Sequence, residues 1–421
     1  MFKALCFVKG VFMKKIFALI TITVMLIACL VFAGCDSTNT GTAYKPATKG
    51  LKFYPLNDKE CVVAVGDALY LEEIVIPKKH NGLTVVKIAD EGFADCKNLK
   101  SITIPDSVTS IGYSAFYGCI SLTSITLPFI GATTDGSVDD DTSFGYIFGG
   151  NSYIPKTLKT VVITGGIGSG AFSGCSGLTS ITISNSVTSI GSSAFAGCSG
   201  LTSITIPNSV TTIGDYAFYG CSGLMNITVD KNNSNYQSID GNLYSKDGTV
   251  LLQYAIGKTE TSFTIPNSVT SISDGAFSGC NGLTSVTIPN SVTNVGESAF
   301  YGCSGLASIT LPFIGATSDG SINTSFGYIF GGNFNIPATL KTVVITGSSS
   351  IGDYAFEYCR SLTEIVIPDS VTNIGDYAFS GCSALTTVYY TGTQEQWKNI
   401  FISIFNDALK KATIVYNYTQ E

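Results

Sequence analysis

The sequence predicts a repeat solenoid, in which short coils of chain stack on one another, and three observations support this fold class. The segment LTSITISNSVTSIGSSAFAGC, residues 178–198, returns with small changes as residues 201–221 and 283–303. Its aligned cysteines, such as Cys198 and Cys221, are 23 residues apart. Only 13% of the residues are charged and 45 are glycine, which is typical of sheets and turns. A fixed period of about 20 to 29 residues indicates units that complete their core only against their neighbours.

Each unit reads L-x-x-I-x-I-P-x-S-V-x-x-I-G-x-x-A-F-x-G-C, and each part predicts a local structure. The L-x-x-I-x-I segment predicts a short strand with Leu and Ile inward and Ser or Thr outward. The proline that follows, for example Pro207, lacks an amide donor and ends the pairing. S-V-x-x-I-G predicts a second short apolar pass, closed by a turn glycine such as Gly191. A-F-x-G-C adds a large ring and a small thiol to the core.

Alignment of the strand signature predicts thirteen strand starts along the chain. They are Leu71, Leu99, Leu122, Leu158, Leu178, Leu201, Leu224, Glu260, Leu283, Leu306, Leu340, Leu362 and Leu385. Because each coil repeats the direction of the last, the strands are expected to pair in parallel. The prediction is therefore one continuous parallel sheet of about 13 short strands, with little helix.

The strand signature and the nine A-F-x-G-C copies resemble the leucine-rich repeat, and most closely its BspA-like branch in bacterial surface proteins. The resemblance covers residues 51–421, with small departures at Gly92 and Tyr358. It implies a curved leucine-rich repeat solenoid that is displayed at the cell surface for binding.

The first 34 residues predict a lipoprotein signal peptide. Lys14 and Lys15 precede a long apolar run that ends in small residues. Residues 32–35, FAGC, resemble a bacterial lipobox, which implies cleavage before Cys35 and attachment of diacylglycerol to its thiol. A plain signal anchor and a cut elsewhere are the alternatives, and Met13 is a second candidate start.

The predicted mature chain has four further parts. Residues 35–50 are polar without an apolar period and predict a flexible tether. Residues 51–70 are interpreted as an N-terminal cap, 71–390 as the solenoid and 391–421 as a C-terminal cap. The last part is expected to contain a short helix with Trp397 over the final coil, and then a closing strand. After loss of the signal peptide, 19 basic and 30 acidic residues remain, a net charge of −11, which argues against nucleic acid as a partner.

Three coils are longer than the others and supply the candidate binding surface. Residues 122–158 and 306–340 contain near copies of one insert, whereas residues 224–260 contain a hairpin signal around Lys246 to Gly248. All three are expected to bulge from the solenoid. The two similar inserts are more apolar than a loop tip requires, and aromatic residues are favoured in binding surfaces. The candidate residues are Phe129, Ile130, Phe144, Tyr146, Phe313, Ile314, Phe326 and Tyr328. The alternative is that they line an enlarged coil.

The sequence contains no convincing catalytic, cofactor or metal motif. The one histidine, His80, is in the polar turn KKHNG without a nucleophile motif, which predicts a solvated loop residue. Asp135, Asp139, Asp140 and Asp141 are interpreted as a solvated acidic loop rather than a calcium site. The repeat cysteines share one phase of the coil, which favours buried free thiols over disulfides.

The predicted function is that of a lipid-anchored cell-surface protein that mediates protein–protein or adhesive binding. A protein or glycan is the expected ligand, and the membrane is contacted through Cys35. The outward Ser and Thr side chains of the strands are a second candidate surface, although a polar face in contact with water explains them equally well. A structural envelope scaffold without a soluble ligand is the alternative function.

Overall fold

The computed structural model describes residues 46–133, 143–320 and 323–419. The chain divides into two units, Met1–Ala47 and Thr48–Glu421. Nearly all of the first unit, including the predicted signal peptide and the predicted lipid-attachment residue Cys35, lies outside the described residues. Within the described ranges, no helix has the length and apolar character to cross a membrane. The following description concerns the second unit.

The second unit is a solenoid of stacked coils whose L-x-x-I-x-I segments form short parallel strands. Strand bounds over the described ranges are Glu73–Val75, Ser101–Thr103, Ser124–Leu127, Thr160–Ile163, Ser180–Ile183, Ser203–Ile206, Asn226–Val229, Ser262–Thr264, Ser285–Thr287, Ser308–Leu311, Thr342–Ile345, Glu364–Ile367, Thr387–Tyr390 and Thr413–Val415. Each of the thirteen predicted starts lies two residues before a strand. The additional strand is the predicted closing strand, and it pairs in parallel with Thr387–Tyr390.

The prediction of one continuous sheet is wrong, because the strands form successive sheets of five, two and seven strands in the described residues. One break follows Asn226–Val229. There the Ile227 amide donates to the Gly241 carbonyl at 2.8 Å, so an insert occupies backbone that would otherwise pair with the next coil. The other break follows Ser180–Ile183. Ile181 and Ile183 are 6% and 8% exposed, which indicates that two coils separate slightly at this point.

The S-V-x-x-I-G segments form a second set of shorter strands, each with its Ile or Val inward. They are Ser110–Ile111, Ser189–Ile190, Thr212–Ile213, Ser271–Ile272, Asn294–Val295, Ser350–Ile351 and Asn373–Ile374. The strands of adjacent coils pair in parallel, for example Ser271–Ile272 with Asn294–Val295. A second ladder, which is also interrupted, therefore supplements the first in holding neighbouring coils together.

The A-F-x-G-C segments form the third side of each coil and bury its largest side chains. Phe172, Phe195 and Phe218 are buried and stack face to face, with ring centroids 5.4 and 5.5 Å apart. Such offset stacks add a favourable quadrupole interaction to the burial of the rings. The phenylalanine amide of one coil donates to the alanine carbonyl of the next, as Phe195 does to Ala217 at 2.8 Å.

The N-terminal cap region is a hairpin of strands Lys52–Pro55 and Glu60–Ala64, followed by the 3₁₀ helix Gly66–Tyr70. Glu60–Ala64 pairs in parallel with Leu83–Ile88, which also pairs antiparallel with Lys79–His80. Buried Val63 lies over the end of the core. His80 is not a solvated loop residue, because it is half-buried and stacks on Phe53 with centroids 3.8 Å apart.

The C-terminal region contains two short helices, Gln394–Lys398 and Asp407–Lys411, and strand Phe401–Ile402. The first is the predicted helix. Its N-terminus has a capping box, in which the Thr393 hydroxyl accepts from the Gln396 amide and the Gln396 side chain accepts from the Thr393 amide. Trp397 packs edge-on against Tyr390 of the last repeat, with centroids 5.1 Å apart.

The long coils differ from each other. The predicted hairpin is present as strands Asn242–Ser245 and Val250–Gln253. A further strand, Tyr236–Ile239, pairs with the first of these around a two-residue turn that the sequence analysis did not predict. The two similar inserts instead form 3₁₀ helices, and these are Phe144–Phe148, Asn151–Tyr153, Phe326–Phe330 and Asn333–Asn335.

Candidate binding surface

Most of the eight predicted binding residues lie in the core, which corrects the sequence analysis. Tyr146 and Tyr328 are half-buried. The buried residues are Phe129, Ile130, Phe144, Phe313, Ile314 and Phe326. These side chains offer no surface to a ligand.

The physical reason is that each described insert segment stacks as part of the solenoid instead of bulging from it. The Phe116 amide donates to Ile147, and the Phe144 amide donates to Ala171, so the 3₁₀ helix lies between two ordinary coils. The Phe144 ring packs against Phe172 of the following coil at a tilt of 41°, with centroids 5.0 Å apart. The inserts thus extend the phenylalanine stack, which is the alternative that the sequence left open.

The outward hydroxyl face of the strands is present and polar. Its twelve predicted side chains are exposed or half-buried. They are Ser101, Thr103, Ser124, Thr126, Ser180, Thr182, Ser203, Thr205, Ser285, Thr287, Ser308 and Thr310. The Ser308 hydroxyl donates to the Ser285 hydroxyl of the preceding coil at 3.0 Å. A face of short side chains provides few anchors for a partner.

A different surface carries large exposed side chains, namely the turns around A-F-x-G-C. The x position is tyrosine in three coils, and Tyr117, Tyr219 and Tyr301 are 42%, 38% and 39% exposed. The residue before the alanine is also tyrosine at some coils, for example Tyr354, which has a left-handed φ of 56°. Because these positions are equivalent in the repeat, their side chains lie on the same side of stacked coils.

We call this surface the aromatic ridge. Its members in the described residues are Tyr113, Tyr117, Tyr146, Tyr153, Tyr216, Tyr219, Tyr301, Tyr328, Phe334, Tyr354, Tyr358, Tyr377 and Phe405. Sequence reasoning missed most of them because it treated the variable positions as uninformative. Tyrosine recurring at x of A-F-x-G-C was the available signal.

The ends of the aromatic ridge are pre-assembled by ring contacts. Near the C-terminus, Tyr377 stacks on Tyr354 and on Phe405, with centroids 5.1 and 4.3 Å apart. Near the N-terminus, Tyr117 meets Tyr153 edge to face at 5.2 Å. Rings that already contact each other lose little conformational freedom when a ligand covers them.

The centre of the aromatic ridge is interrupted by a notch with a volume of about 290 Å³. We call it the central notch. Its lining residues are Ser193, Tyr216, Tyr219, Ser278, Ser298 and Tyr301. They come from coils on both sides of the hairpin insert.

The notch exists because the intervening coil has no A-F-x-G-C turn. In that coil Tyr254 takes the phenylalanine position, since its amide donates to Ala276 and its ring stacks on Phe277 at 5.3 Å. Residues 255–258, AIGK, then follow in place of the usual turn. Tyr216 extends across the gap and rests on Gly275, where an added Cβ would lie 2.6 Å from the ring.

Three exposed carboxylates, those of Asp215, Asp274 and Glu297, interact electrostatically with the Tyr216 hydroxyl, and each belongs to a turn that also supplies a residue of the notch lining. Burial raises the pKa of the Tyr216 hydroxyl above its usual value, and the charges of these carboxylates raise it further. Burial also raises the pKa of Tyr328, and Asp274 and Glu297 contribute there too. The electrostatic potential at this part of the aromatic ridge is therefore negative.

The thiols of the described cysteines are free and buried, as predicted. Several donate to the phenylalanine carbonyl of the preceding coil, as Cys198 does to Phe172 at 3.1 Å. Burial raises the pKa of Cys198 to about 12, so the thiol stays protonated at neutral pH. Among the described residues no group of His, Cys, Asp and Glu side chains is arranged to hold a metal ion, and residues 135–141 lie outside them.

The chain matches a known family of repeat proteins over most of its length. The family model described as BspA type leucine rich repeat region, in six copies, matches residues 67–136, 147–251, 253–321 and 329–420. A search of curated proteins gives no match.

Solved structures with a similar chain include three bacterial repeat proteins. A leucine rich cell surface protein from Faecalibacterium prausnitzii is 31% identical over 86% of this chain and 98% of that one, with a TM-score of 0.46. A leucine-rich repeat protein from Bacteroides ovatus is 22% identical over 89% and 100%, with a TM-score of 0.47. The pneumococcal vaccine antigen PcpA is 18% identical over 90% and 100%, with a TM-score of 0.49.

Proposed function

Because this chain belongs to the BspA-type leucine-rich repeat family, we propose that it is a cell-surface protein whose repeats bind protein ligands through the aromatic ridge. The exposed tyrosines at equivalent turns are the observation that carries this proposal. Tyrosine combines a large apolar ring with a hydroxyl and is enriched at the centres of protein interfaces. Large exposed side chains grouped on one side of a protein mark an interaction surface.

The proposal includes an anchor. The lipobox-like residues before Cys35 support attachment of diacylglycerol to its thiol, and two acyl chains suffice for stable membrane association. Residues 36–49 are polar, so they suit a tether that holds the solenoid away from the membrane. The ligand could then reach the aromatic ridge from outside the cell.

A binding experiment on immobilised extracellular matrix proteins tests the proposed function. The ridge variant combines Tyr117→Ser, Tyr301→Ser and Tyr354→Ser, and serine occupies the equivalent positions of other coils at Ser278 and Ser298. The matched control is Ser203→Ala with Thr205→Ala on the hydroxyl face. We expect saturable binding of the wild-type chain and of the control, and a loss of about tenfold or more in affinity for the ridge variant.

Two results would contradict the proposal. Equal binding of the ridge variant and the wild-type chain would exclude the aromatic ridge. No saturable binding to any matrix protein would favour the envelope scaffold instead. Fractionation of bacterial cells that express the protein tests the anchor separately. Cys35→Ser is expected to move the protein from the membrane fraction to the soluble fraction, and unchanged fractionation would exclude the lipid anchor.

A further inference from the structure

We propose that the central notch receives a lysine side chain of the protein ligand, an inference that rests on the proposed function and specifies its chemistry. Three features of the molecule support this proposal: the shape of the notch, the carboxylates of the surrounding turns and the hydroxyl side chains of the lining.

The shape suits one long side chain. A volume of about 290 Å³ is slightly below the range for small-molecule sites, roughly 300 to 1,000 Å³, so the notch suits a single side chain better than a larger ligand. The walls are the rings of Tyr216, Tyr219 and Tyr301. Tyr216 and Tyr219 meet edge to face with centroids 6.4 Å apart, so they present surfaces in two directions. Such walls can cover the methylene stem of lysine while its ammonium lies near ring faces.

The charge selects a cation. Asp215, Asp274 and Glu297 form no ion pair with any residue in the described part of the chain. The segments that carry the lining residues, 191–200, 214–223, 273–282 and 296–305, contain no Lys, Arg or His. These segments therefore do not compensate the negative charge, and Lys258 of the intervening coil lies 3.9 Å from the Glu260 carboxylate instead. A neutral sugar would leave it uncompensated, whereas an ammonium would neutralise part of it.

The hydrogen-bonding groups favour lysine among cations. Ser193, Ser278 and Ser298 line the notch, and each hydroxyl oxygen has two lone pairs that can accept. The Ser278 hydroxyl is buried and donates its proton to the Tyr301 carbonyl at 3.1 Å, which leaves its oxygen as an acceptor only. An ammonium is compact and donates three hydrogen bonds that rotate to suit such acceptors. The Asp274 carboxylate is held in place, because its Oδ1 accepts from the Glu297 amide at 2.8 Å.

The repeats themselves supply substitutions that preserve the fold. Tyr216 has a left-handed φ of 57°, and the equivalent Ser193 and Ser298 have φ values of 54° and 55°. Tyr216→Ser therefore copies a residue that already adopts this backbone. Tyr301→Ser copies Ser278 in the same way. Asp274→Asn removes the charge but keeps the Oδ1 acceptor for the Glu297 amide.

The experiment measures binding of one peptide, acetyl-Gly-Ser-Lys-Ser-Gly-amide, to the full chain in detergent by saturation-transfer NMR. The comparison ligands are the same peptide with Nε-acetyl-lysine and a neutral trisaccharide, maltotriose. We expect saturation of the lysine side-chain protons and no detectable signal from the two comparison ligands. Tyr216→Ser with Tyr301→Ser, and separately Asp274→Asn, should each weaken lysine-peptide binding about fivefold or more.

The matched control is Tyr70→Ser, which makes the same change at an exposed tyrosine outside the aromatic ridge, and it should bind like the wild-type chain. Thermal unfolding of each variant checks that it is folded. The proposal is overturned if the lysine peptide does not bind, if acetyl-lysine or maltotriose binds as well, or if folded notch variants retain full affinity.

This assay needs no natural ligand, so its outcome is independent of the matrix-binding experiment. Lysine binding can be absent while matrix binding persists, and matrix binding can be absent while lysine binding persists.

Discussion

Cys198 illustrates how one residue position can stabilise the solenoid without any reactive role. It is fully buried, and its thiol donates to the Phe172 carbonyl of the preceding coil. The cysteines at 175 and 221 occupy the same phase in the neighbouring coils, and burial raises the pKa of each above the usual thiol value. A thiol fits this position because it is small and apolar, and its burial does not require a strong hydrogen bond.

The raised pKa of Cys198 predicts a loss of stability at alkaline pH. Below pH 9.0, the ordinary value, the thiol is protonated in both states and its contribution is complete. Between that pH and about 12 the unfolded state releases the proton first, so the free energy of unfolding falls as pH rises. The slope for the wild-type chain should exceed that for Cys198→Ala by about 1.4 kcal/mol per pH unit.

Urea titrations from pH 8 to pH 11 in the presence of a phosphine reductant measure these slopes. Cys198→Ala also loses packing free energy, but this loss is the same at every pH and does not affect the slope. Parallel pH dependences for the two proteins would mean that Cys198 does not remain protonated in the folded state.

At the scale of elements, the hairpin insert is held by one tight turn. Strands Tyr236–Ile239 and Asn242–Ser245 pair so that Ile239 is opposite Asn242. The two turn residues, Asp240 and Gly241, have φ values of 50° and 74°. Positive φ at both positions is the type I′ pattern, which matches the twist of paired strands. The Gly241 carbonyl of this turn accepts a hydrogen bond from the Ile227 amide, and the sheet ends at that strand.

Gly241→Ala is therefore expected to lower the free energy of unfolding by about 1 to 2 kcal/mol. The left-handed backbone disfavours a Cβ, and the added atom would lie 2.5 Å from Asn226 Oδ1. The control is Gly166→Ala, because a Cβ at Gly166 has open space around it and the residue has no left-handed φ.

Urea unfolding monitored by far-UV circular dichroism compares these two variants with the wild-type chain. Limited proteolysis should also cut Gly241→Ala faster within the insert. Equal midpoints for the two alanine variants would contradict the assigned role of the turn.

At the scale of the whole molecule, the stability of the solenoid is distributed over a row of stacked coils. Interior coils contact a neighbour on both sides, whereas the closing strand Thr413–Val415 of the C-terminal region pairs on one side only. Sheet breaks divide the line further. A molecule of this kind has no single centre that must form before the rest.

We expect unfolding to begin at an end, and the one tryptophan reports on it. Trp397 packs on Tyr390 in the C-terminal region, so its fluorescence should change at a lower urea concentration than the far-UV circular dichroism of the whole chain. A second protein with Trp397→Phe and Tyr219→Trp moves the reporter to an exposed central position. Its transition should follow the circular dichroism more closely, and coincident transitions in both proteins would indicate all-or-none unfolding.

The sequence by itself determined the repeat period, the parallel strands and the inward columns of Leu, Ile, Phe and Cys. It could do so because the alternation of side chains and the constant coil length assign each position of a unit to the inside or the outside. The inward positions of Phe195 and Cys198 can therefore be predicted from the aligned repeats alone.

Only the tertiary structure decided which surfaces are exposed. Phe144 and Phe326 became core residues because the inserts stack as additional layers between ordinary coils. The central notch arose because the coil around Tyr254 lacks a turn that its neighbours have. The exposure of a side chain depends on what the adjacent coils place over it, and that relation joins residues that no single repeat contains.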